Sequence, residues 1–262
     1  MNSEYLLKAY NQFERIGLTQ AGCQKVASPD LVKFVSKTEV GSCVVYSDIR
    51  ADVLDEKIKA EIEYFKQLKL SFKWHTLSTD TPNNLGESLL VHGFKAEEPA
   101  ALMVLDLNSV QSEDTKLIDT SICISVSDKQ GIKDAISVQK KVWGGDCLAQ
   151  EAHLIRLKEE SPEQIHIYVI YQDNQPVSSA WLMCHPNSPF GSIWAGNTLA
   201  DYRGRGFYSA LLLKRIQDAK AKGLKYLCIH ASKMSQPIVA KQGFEFIAES
   251  RSYLYTPAVA LL

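Results

Sequence analysis

The sequence lacks several features that would assign it quickly to a class of protein. Its 262 residues hold 29 Lys and Arg against 30 Asp and Glu, for a formal net charge of −1. This near-neutral balance gives no protein-wide attraction to nucleic acid, so we expect no nucleic-acid partner. No run approaches the roughly 18 apolar residues that a membrane span requires. We therefore also expect no membrane association.

Paired cysteines are missing as well. The six cysteines stand singly, without the spacing of a zinc site or a redox dithiol: Cys23, Cys43, Cys123, Cys147, Cys184 and Cys228. We interpret them as small apolar residues and expect no bound metal. The first residues, Met1 to Lys8, lack the basic and apolar regions of a signal peptide. These features favour a reducing, cytoplasmic compartment.

The second half of the chain has a regular order of predicted elements. Strand and helix patterns alternate through a hairpin, a glycine-rich loop and a closing pair of strands. This order predicts a mixed α/β layered domain over about residues 118–262. The predicted strands are 122–126, 164–172, 177–183, 192–199, 224–231, 244–248 and 253–256, and the predicted helices are 130–142, 148–158, 206–222 and 237–242.

The glycine-rich loop, Arg203-Gly204-Arg205-Gly206, lies between an apolar, strand-like run and a helical run. A loop of this kind presents unpaired backbone N–H groups at the positive end of the helix dipole, where phosphate or pyrophosphate binds. Its two arginines add cationic donors that suit phosphate oxygens. A short glycine pattern is a weak signal by itself, and its place between strand and helix strengthens it.

This loop, with Thr198-Leu199 before it and Lys241-Gln242-Gly243-Phe244 after it, resembles the GNAT superfamily of N-acetyltransferases. In that family the loop reads Gln or Arg, two residues, Gly, one residue, then Gly or Ala. Arg203 and Gly206 match, whereas Tyr208 stands at the last position. The resemblance implies the GNAT fold, a central mixed sheet flanked by helices.

The resemblance also implies a chemistry. Acetyl-coenzyme A would donate its acetyl group directly to a primary amine, without a metal. In the family, the strand before the loop splays from its neighbour and the pantetheine arm lies in the gap. A backbone N–H near the end of that strand polarises the thioester carbonyl, and by position Leu199 is implied. The implied cofactor-binding residues are Thr198, Leu199, Arg203, Gly204, Arg205, Gly206, Phe207 and Tyr208.

The general base is open at this stage. Many relatives carry a glutamate on the strand before the loop, where this chain offers Ser192, Trp194 and Asn197. We favour Glu151, because the second helix borders the acceptor side in similar enzymes. The alternatives are His153, His185 and a chain of waters, and each of these side chains also fits a solvated face or an ordinary core or loop position.

The general acid is open too. Val239 stands where family members often have a tyrosine near the leaving thiolate. A thiol with a pKa of about 8.5 can leave as the thiolate, unaided or helped by Ser232, Ser235 or Tyr208. A separate set of cations either reaches the adenosine phosphate or forms a solvated helix face: Lys214, Arg215 and Lys233.

The first half of the chain follows the plan of the second. A predicted strand at 72–77, a helix at 82–91, His92-Gly93-Phe94 and a strand at 101–107 repeat the order around Gly243-Phe244. Upstream, Ile58, Ile62, Phe65 and Leu68 give one apolar helical face. The stretch before that helix, Ser47 to Val53, has two carboxylates and no glycine, so it would repel a phosphate.

We therefore predict a tandem protein. Residues 1–115 would form a degenerate GNAT-like domain and residues 116–262 the catalytic domain, with a linker near 108–120. The predicted function is N-acetyl transfer to a small amine, or to a peptide. The alternative is a non-catalytic coenzyme A-binding regulatory or interaction protein, because the family's glutamate and tyrosine are missing. The sequence leaves the acceptor and the oligomeric state open.

Overall fold

The computed structural model describes residues 3–36, 38, 41–110 and 118–257. The helices are α1 (Ser3–Tyr10), α2 (Leu54–Gln67), α3 (Leu85–Val91), α4 (Lys129–Trp143), α5 (Leu148–Glu160), α6 (Phe207–Ala221) and α7 (Gln236–Ala240). The strands are β1 (Gln24–Ser28), β2 (Leu31–Val35), β3 (Ser42–Ser47), β4 (Phe72–Leu77), β5 (Lys95–Ala96), β6 (Ala100–Asp106), β7 (Ile124–Val126), β8 (Ile165–Gln172), β9 (Gln175–Cys184), β10 (Phe190–Thr198), β11 (Tyr226–Ala231) and β12 (Glu245–Tyr255). A search of these residues finds no helix with the length and apolar character needed to cross a bilayer.

The chain forms two compact units. The first unit contains the described residues of Met1–Met103, His230–Gln242 and Phe246–Leu262, and the second contains those of Val104–Ile229 and Gly243–Glu245. The predicted boundary at 115/116 falls within residues 111–117, outside the described part of the chain. Each unit therefore draws on more than one stretch of sequence.

The first unit has the strand order β1-β2-β3-β4-β12. Strands β3 and β4 are parallel, and the other neighbours in this order are antiparallel. Helix α2 buries Ile58, Ile62 and Phe65 in the same apolar cluster as Trp74 of β4, which confirms the predicted helical face. Leu68 is 38% exposed, because the helix ends at Gln67 and Leu68 lies at its C-cap.

The second unit has the strand order β11-β10-β9-β8-β7. Strands β10 and β11 are parallel, and the other pairs are antiparallel. Helices α4 and α6 both contact β9 and β10. Each helix directs a row of buried apolar residues inward, among them Ile132 and Ile136 on α4 and Leu212 and Ile216 on α6. The predicted mixed sheet flanked by helices is confirmed.

The internal repeat is visible in the strand register. In the first unit, Ser42–Val44 pair in parallel with Phe72–Trp74. In the second, Phe190–Ser192 pair in parallel with Tyr226–Cys228. In each half a short helix is followed by a glycine at φ +87° and a buried phenylalanine, which are Gly93-Phe94 and Gly243-Phe244. Each half therefore has the same strand–helix–strand–helix plan.

Candidate functional site

The glycine-rich loop connects β10 to α6 in the second unit. A 3-10 turn, Ala200–Tyr202, leads into it, and α6 begins at Phe207. Gly204 and Gly206 have φ values of +75° and +81°, a backbone conformation that favours glycine. Among the described residues beyond its two chain neighbours, no atom lies within 4 Å of the position that a Cβ would take at either glycine. The loop backbone at both positions therefore faces open space.

Several backbone N–H groups of this loop point away from the protein's own acceptors. The N–H of Ala210 donates to the carbonyl oxygen of Gly206 over 2.9 Å. The first-turn N–H groups of Phe207, Tyr208 and Ser209 precede that bond and have no partner within the helix. The described part of the chain also supplies no backbone acceptor for Gly204, Arg205 or Gly206. A run of open donors therefore lies at the start of α6, where an anion binds best.

The amide of Arg203 is different, because it is already used. Its N–H donates to the carbonyl oxygen of Ala200 over 3.2 Å. Its side chain also folds back, with Nε donating to the Thr198 carbonyl oxygen over 3.2 Å. Of the residues assigned to the loop, Arg203 therefore braces the turn and contributes charge, while the open amides begin at Gly204.

The Arg205 side chain braces the loop from the other side. One of its terminal nitrogens, Nη2, donates to the Asp201 carbonyl oxygen over 3.0 Å, and its guanidinium carbon lies 4.8 Å from the centre of the Tyr202 ring. A guanidinium carries five N–H donors, so most of those of Arg205 remain for a ligand. Both arginines are exposed beside the open amides.

The Tyr208 ring packs away from the loop opening. A Cβ placed on Gly196 would lie 2.6 Å from Cε2 of Tyr208, so this ring rests directly on the backbone of β10. Burial raises the pKa of the Tyr208 hydroxyl, with the nearby Arg215 acting in the opposite direction. The tyrosine at this non-family position therefore fills the space between α6 and β10.

Strand β10 separates from β11 soon after it begins. Its pairing with β11 ends at Ser192 and Cys228, whereas its pairing with β9 continues to Thr198. A bulge between Trp194 and Asn197 inserts one residue into β10, with Ala195 at φ +50°. Bulges of this kind bend a strand and redirect its groups. The second half of β10 therefore has an open edge, as the predicted splay requires.

A buried arginine supports the bulge. Arg215 on α6 is 1% exposed, and one of its terminal nitrogens, Nη1, donates to the Trp194 carbonyl oxygen over 3.3 Å. Its Nε donates to the carbonyl oxygen of Leu211 over 2.9 Å. Burial lowers the pKa of Arg215 to about 10. The interpretation of Arg215 as a cation that reaches the adenosine phosphate is therefore wrong.

The Leu199 N–H, which the resemblance implied as the oxyanion donor, already has a hydrogen-bond partner in the structure. The Leu199 N–H donates to the carbonyl oxygen of Val177 on β9 over 3.0 Å, so it is not available to a thioester. Successive residues of a strand direct their N–H groups to opposite edges. Thr198 therefore directs its backbone toward the open edge, consistent with the bond that its carbonyl oxygen accepts from Arg203.

A second group of residues lies on the α4 side of the sheet. Trp143, the last residue of α4, donates its indole N–H to Oδ1 of Asn197 over 2.6 Å. Asn197 is 3% exposed, and its Nδ2 has no partner among the described residues. Because an indole nitrogen can only donate, the amide orientation is fixed and Nδ2 is the unpaired atom.

The other residues that the sequence analysis named as possible base, acid or phosphate ligand have few contacts that indicate a role. Glu151 lies half-buried in the first turn of α5, and His153 follows it on the same helix. His185 follows β9. Lys214 pairs with Asp218 over 2.9 Å, which occupies it on its own helix. In the first unit, Ser232 and Ser235 bond to each other over 3.2 Å. The described residues include no cluster of three or more His, Cys, Asp or Glu that could hold a metal ion.

The corresponding region of the first unit is built differently. Beyond their parallel pairing, β3 and β4 are joined again by a bridge between Asp48 and Thr81, and the Ile49 N–H donates to the Thr81 carbonyl oxygen over 3.1 Å. Arg50 is paired with Asp52. Hydrogen bonds therefore fill the position that in the second unit is an open strand edge.

Sequence reasoning missed a polar cluster in the first unit. The Tyr10 hydroxyl lies 2.9 Å from Nε2 of His230, and Nδ1 of His230 lies 2.7 Å from Oγ of Ser250. His75 on β4 bonds to Oγ of Ser252 over 2.8 Å. These partners are separated by 220, 20 and 177 residues. No local motif signals contacts at such separations.

The comparisons with known proteins agree with this geometry. Residues 134–244 match the family model described as the acetyltransferase (GNAT) family. Over these residues the chain is similar to the GNAT family of acetyltransferases. The match spans α4 to the buried Phe244 and includes the glycine-rich loop. Comparison with curated proteins gives no match.

Solved structures extend the GNAT likeness to nearly the whole chain. A GCN5-related N-acetyltransferase from Kribbella flavida superimposes with a TM-score of 0.70 at 13% identity, covering 97% of this chain and 96% of its own. A GCN5-related N-acetyltransferase from Sphaerobacter thermophilus gives 0.61 at 12% identity, covering 99% and 88%. A tandem GNAT protein from the clavulanic acid biosynthesis pathway gives 0.58 at 10% identity, covering 93% and 86%. At these identities the likeness shows the fold, and the tandem GNAT architecture is confirmed.

Proposed function

We propose that the second unit binds acetyl-coenzyme A and transfers its acetyl group to a primary amine. The observation that carries this proposal is the run of open N–H groups from Gly204 to Ser209, next to the unpaired edge of β10. The match of residues 134–244 to the GNAT family model and the fold support acyl transfer in general. The choice of acetyl-coenzyme A and of an amine follows from the loop and from the names of the relatives.

The loop would hold the pyrophosphate of the cofactor. The amides of Gly204, Arg205, Gly206, Phe207 and Tyr208 would donate to its oxygens, at the positive end of the α6 dipole. The side chains of Arg203 and Arg205 would add charge-assisted hydrogen bonds beside them. The pantetheine arm would lie along the open edge of β10 and pair with the backbone of Thr198, as an added strand does.

The transfer itself requires a donor for the developing oxyanion. Because the Leu199 N–H is bound to Val177, we assign this role to the N–H of Thr198. One such donor contributes roughly 10²–10³ in rate. The neutral amine attacks the thioester carbonyl, the C–N bond forms and the C–S bond breaks with release of the coenzyme A thiolate. The proton lost by the amine passes to a base, for which Glu151 on α5 remains our candidate.

A non-catalytic coenzyme A-binding protein is the second candidate. The stretch of β10 that carries a glutamate in many relatives presents Ser192, Trp194 and Asn197, and the usual tyrosine position is the fully buried Val239. Such a protein would bind the cofactor and release no thiol. The two candidates therefore differ in one measurable product.

Two measurements on the whole chain test the proposal. Calorimetric titration with acetyl-coenzyme A should show saturable binding, and a shift in melting temperature should accompany it. A library of primary amines should then release free coenzyme A, detected with a thiol reagent. Absence of binding at millimolar acetyl-coenzyme A would refute both candidates, and binding without thiol release would favour the non-catalytic one.

The cellular setting stays a prediction. A cytoplasmic location and an acceptor that is a small amine, or alternatively a peptide, follow from composition and from the family alone. The same holds for the expected lack of nucleic-acid and membrane partners.

A further inference from the structure

The α4 side of β10 carries two exposed indole rings around a buried amide. Trp143 is 67% exposed and Trp194 is 51% exposed, which is unusual for the largest apolar side chain. Asn197, which accepts the Trp143 hydrogen bond, is 3% exposed. Exposed aromatic surface beside an unsatisfied polar atom marks a place where a ligand completes the structure.

The strand register places both groups on one face. Trp194 is opposite Trp181, and Asn197 is opposite Ser179. Trp181 and Ser179 are two residues apart on β9, so they point to the same face, and their partners on β10 do also. The hydroxyl of Ser179 donates to the Ala135 carbonyl oxygen on α4 over 2.9 Å, which identifies this face as the α4 side.

The unsatisfied donor is held in a fixed direction. The Trp143 indole N–H occupies Oδ1 of Asn197, and the carbonyl oxygen of Asn197 accepts from Oγ of Ser178 over 2.7 Å. The two N–H groups of Nδ2 are therefore left with no acceptor in the described residues, at a buried position. An unpaired buried donor destabilises the protein, and a hydrogen bond to a ligand oxygen would remove this cost.

An unpaired acceptor lies close by on the same helix. Gln139 precedes Trp143 by one helical turn, so the two side chains are neighbours on α4. Its Nε2 donates to Oε1 of Gln150 on α5 over 2.6 Å. Its own Oε1 is buried with no partner in the described part of the chain. The α4 side therefore offers exposed indole surface together with an unpaired amide donor and an unpaired amide acceptor.

We propose that Trp143, Trp194 and Asn197 form an acceptor site, the indole site, for a primary amine that carries an aromatic ring and an oxygen atom. The two indoles contact the ring, and Nδ2 of Asn197 donates to the oxygen. This inference rests on the proposed acetyl transfer. The side chains of Trp143, Trp194 and Asn197 carry no charge, so these three contacts do not favour polyamines, whose several charges need carboxylates.

The test uses three amines that separate the two contacts. Tryptophanamide has the ring and the oxygen, tryptamine has the ring alone, and alaninamide has the oxygen alone. Each is measured twice with the whole chain: as a dead-end complex with coenzyme A by calorimetry, and as kcat/KM for acetyl transfer. Every value is taken as the ratio of variant to unchanged protein, which cancels the intrinsic reactivity of each amine.

Removing one indole should affect only the aromatic amines. Trp194→Ala should lower affinity and kcat/KM for tryptophanamide and tryptamine about tenfold, the effect of one well-placed aromatic contact. Alaninamide should change less than twofold. The matched control is Phe246→Ala, which removes a ring of similar exposure, 53%, from the first unit, and it should change none of the three.

Removing the Asn197 amide should affect only the preference for an amine that carries an oxygen atom. Asn197→Leu should abolish the preference for tryptophanamide over tryptamine, a loss of about three- to tenfold. Trp143→Phe, which keeps a ring but not the N–H, should lose part of this preference and keep the preference for aromatic amines. The indole site is overturned if Trp194→Ala affects all three amines equally, or if alaninamide or a lysine peptide is used as well as tryptophanamide. If acetyl-coenzyme A does not bind, the proposed function fails first, and the calorimetric arm shows which has happened.

Discussion

Arg215 donates a hydrogen bond to the carbonyl oxygen of Trp194, which lies 3.3 Å away at the start of the β10 bulge. This cation is 1% exposed, and one of its terminal nitrogens has no partner among the described residues. It ties α6, which begins at the glycine-rich loop, to the strand segment that carries Thr198 and Asn197. The loop and the strand edge are therefore coupled through one side chain.

Arg215→Met should therefore lower the affinity for acetyl-coenzyme A more than it lowers the stability of the fold. A similar apolar volume replaces a buried charge that has no ion-pair partner among the described residues, so the free energy of unfolding should change by no more than about 2 kcal/mol. The bulge loses its brace, and acetyl-coenzyme A affinity should fall about tenfold or more in calorimetry. Lys214→Met, on the solvent side of the same helix, should leave affinity unchanged. Equal affinities for the two variants would contradict the coupling.

Gly196→Ala tests the contact between β10 and Tyr208. The new Cβ would lie 2.6 Å from Cε2 of Tyr208, so the ring must move, and overpacking of this kind costs about 1–3 kcal/mol. Chemical denaturation should show this loss, and acetyl-coenzyme A should bind more weakly. The double variant Gly196→Ala/Tyr208→Val removes the clash. Its loss of unfolding free energy should therefore be smaller than the sum of the losses in the two single variants. Simple additivity would show that the ring does not rest on Gly196.

The two ends of α6 provide a matched pair of glycines. Gly206 and Gly223 have φ values of +81° and +75°, and in the part of the chain that the structure describes no atom beyond the adjacent residues lies within 4 Å of an added Cβ at either one. Gly206→Val and Gly223→Val should therefore impose similar backbone strain, about 1–3 kcal/mol each. Only Gly206→Val should abolish acetyl-coenzyme A binding, measured by calorimetry at a temperature where both variants are folded. Loss of binding in both would show that the effect is strain alone.

Two histidines of the first unit, His75 and His230, should make its stability depend on pH. Burial lowers the pKa of His75 to about 3, with smaller contributions from His230, Lys73 and Arg15. Burial, with Arg15, lowers the pKa of His230 to about 4. Between about pH 4 and the ordinary histidine pKa of 6.5, the unfolded chain binds protons that the folded chain does not. The free energy of unfolding therefore rises with pH in this window, and the stability contributed by these two histidines is lost as the pH falls.

Thermal unfolding at pH 7 and pH 4.5 measures this effect. The unchanged protein should melt at a lower temperature at pH 4.5. His75→Gln removes one of the two groups, and its melting temperature should fall less between the same two pH values. Carboxylates contribute to both proteins and cancel in the comparison. An equal fall in both would show that His75 does not remain neutral in the folded state.

Much of the fold was predictable because its signals are local. The apolar run 72–77 is strand β4 with the predicted bounds, and the glycine-rich loop lies between a strand and a helix as its sequence indicates. The oxyanion donor was not predictable in the same way. One inserted residue between Trp194 and Asn197 changes which amides face the open edge, and no residue type marks that insertion.

The rest of the candidate site depends on contacts between distant residues. Trp143 reaches Asn197 across 54 positions of the chain, and a tryptophan at a helix end gives no local sign of its partner. Arg215 occupies a helix position typical of a solvated cation, and only the packing of α6 on the sheet buries it. The partners and the burial of such side chains depend on tertiary structure, which local sequence propensity does not encode.

The pairing of β12 with β4 joins Ser250–Tyr255 to Phe72–Leu77. The first unit therefore takes in a strand, β12, that lies far along the sequence from β4, and its assembly must wait until residues 245–255 have been translated. A fragment that stops near residue 110 would leave β4 without this neighbour, with unsatisfied backbone groups that recruit other chains. The tandem halves are thus inseparable by a single cut, and a chain that stops before Ser250 should be insoluble.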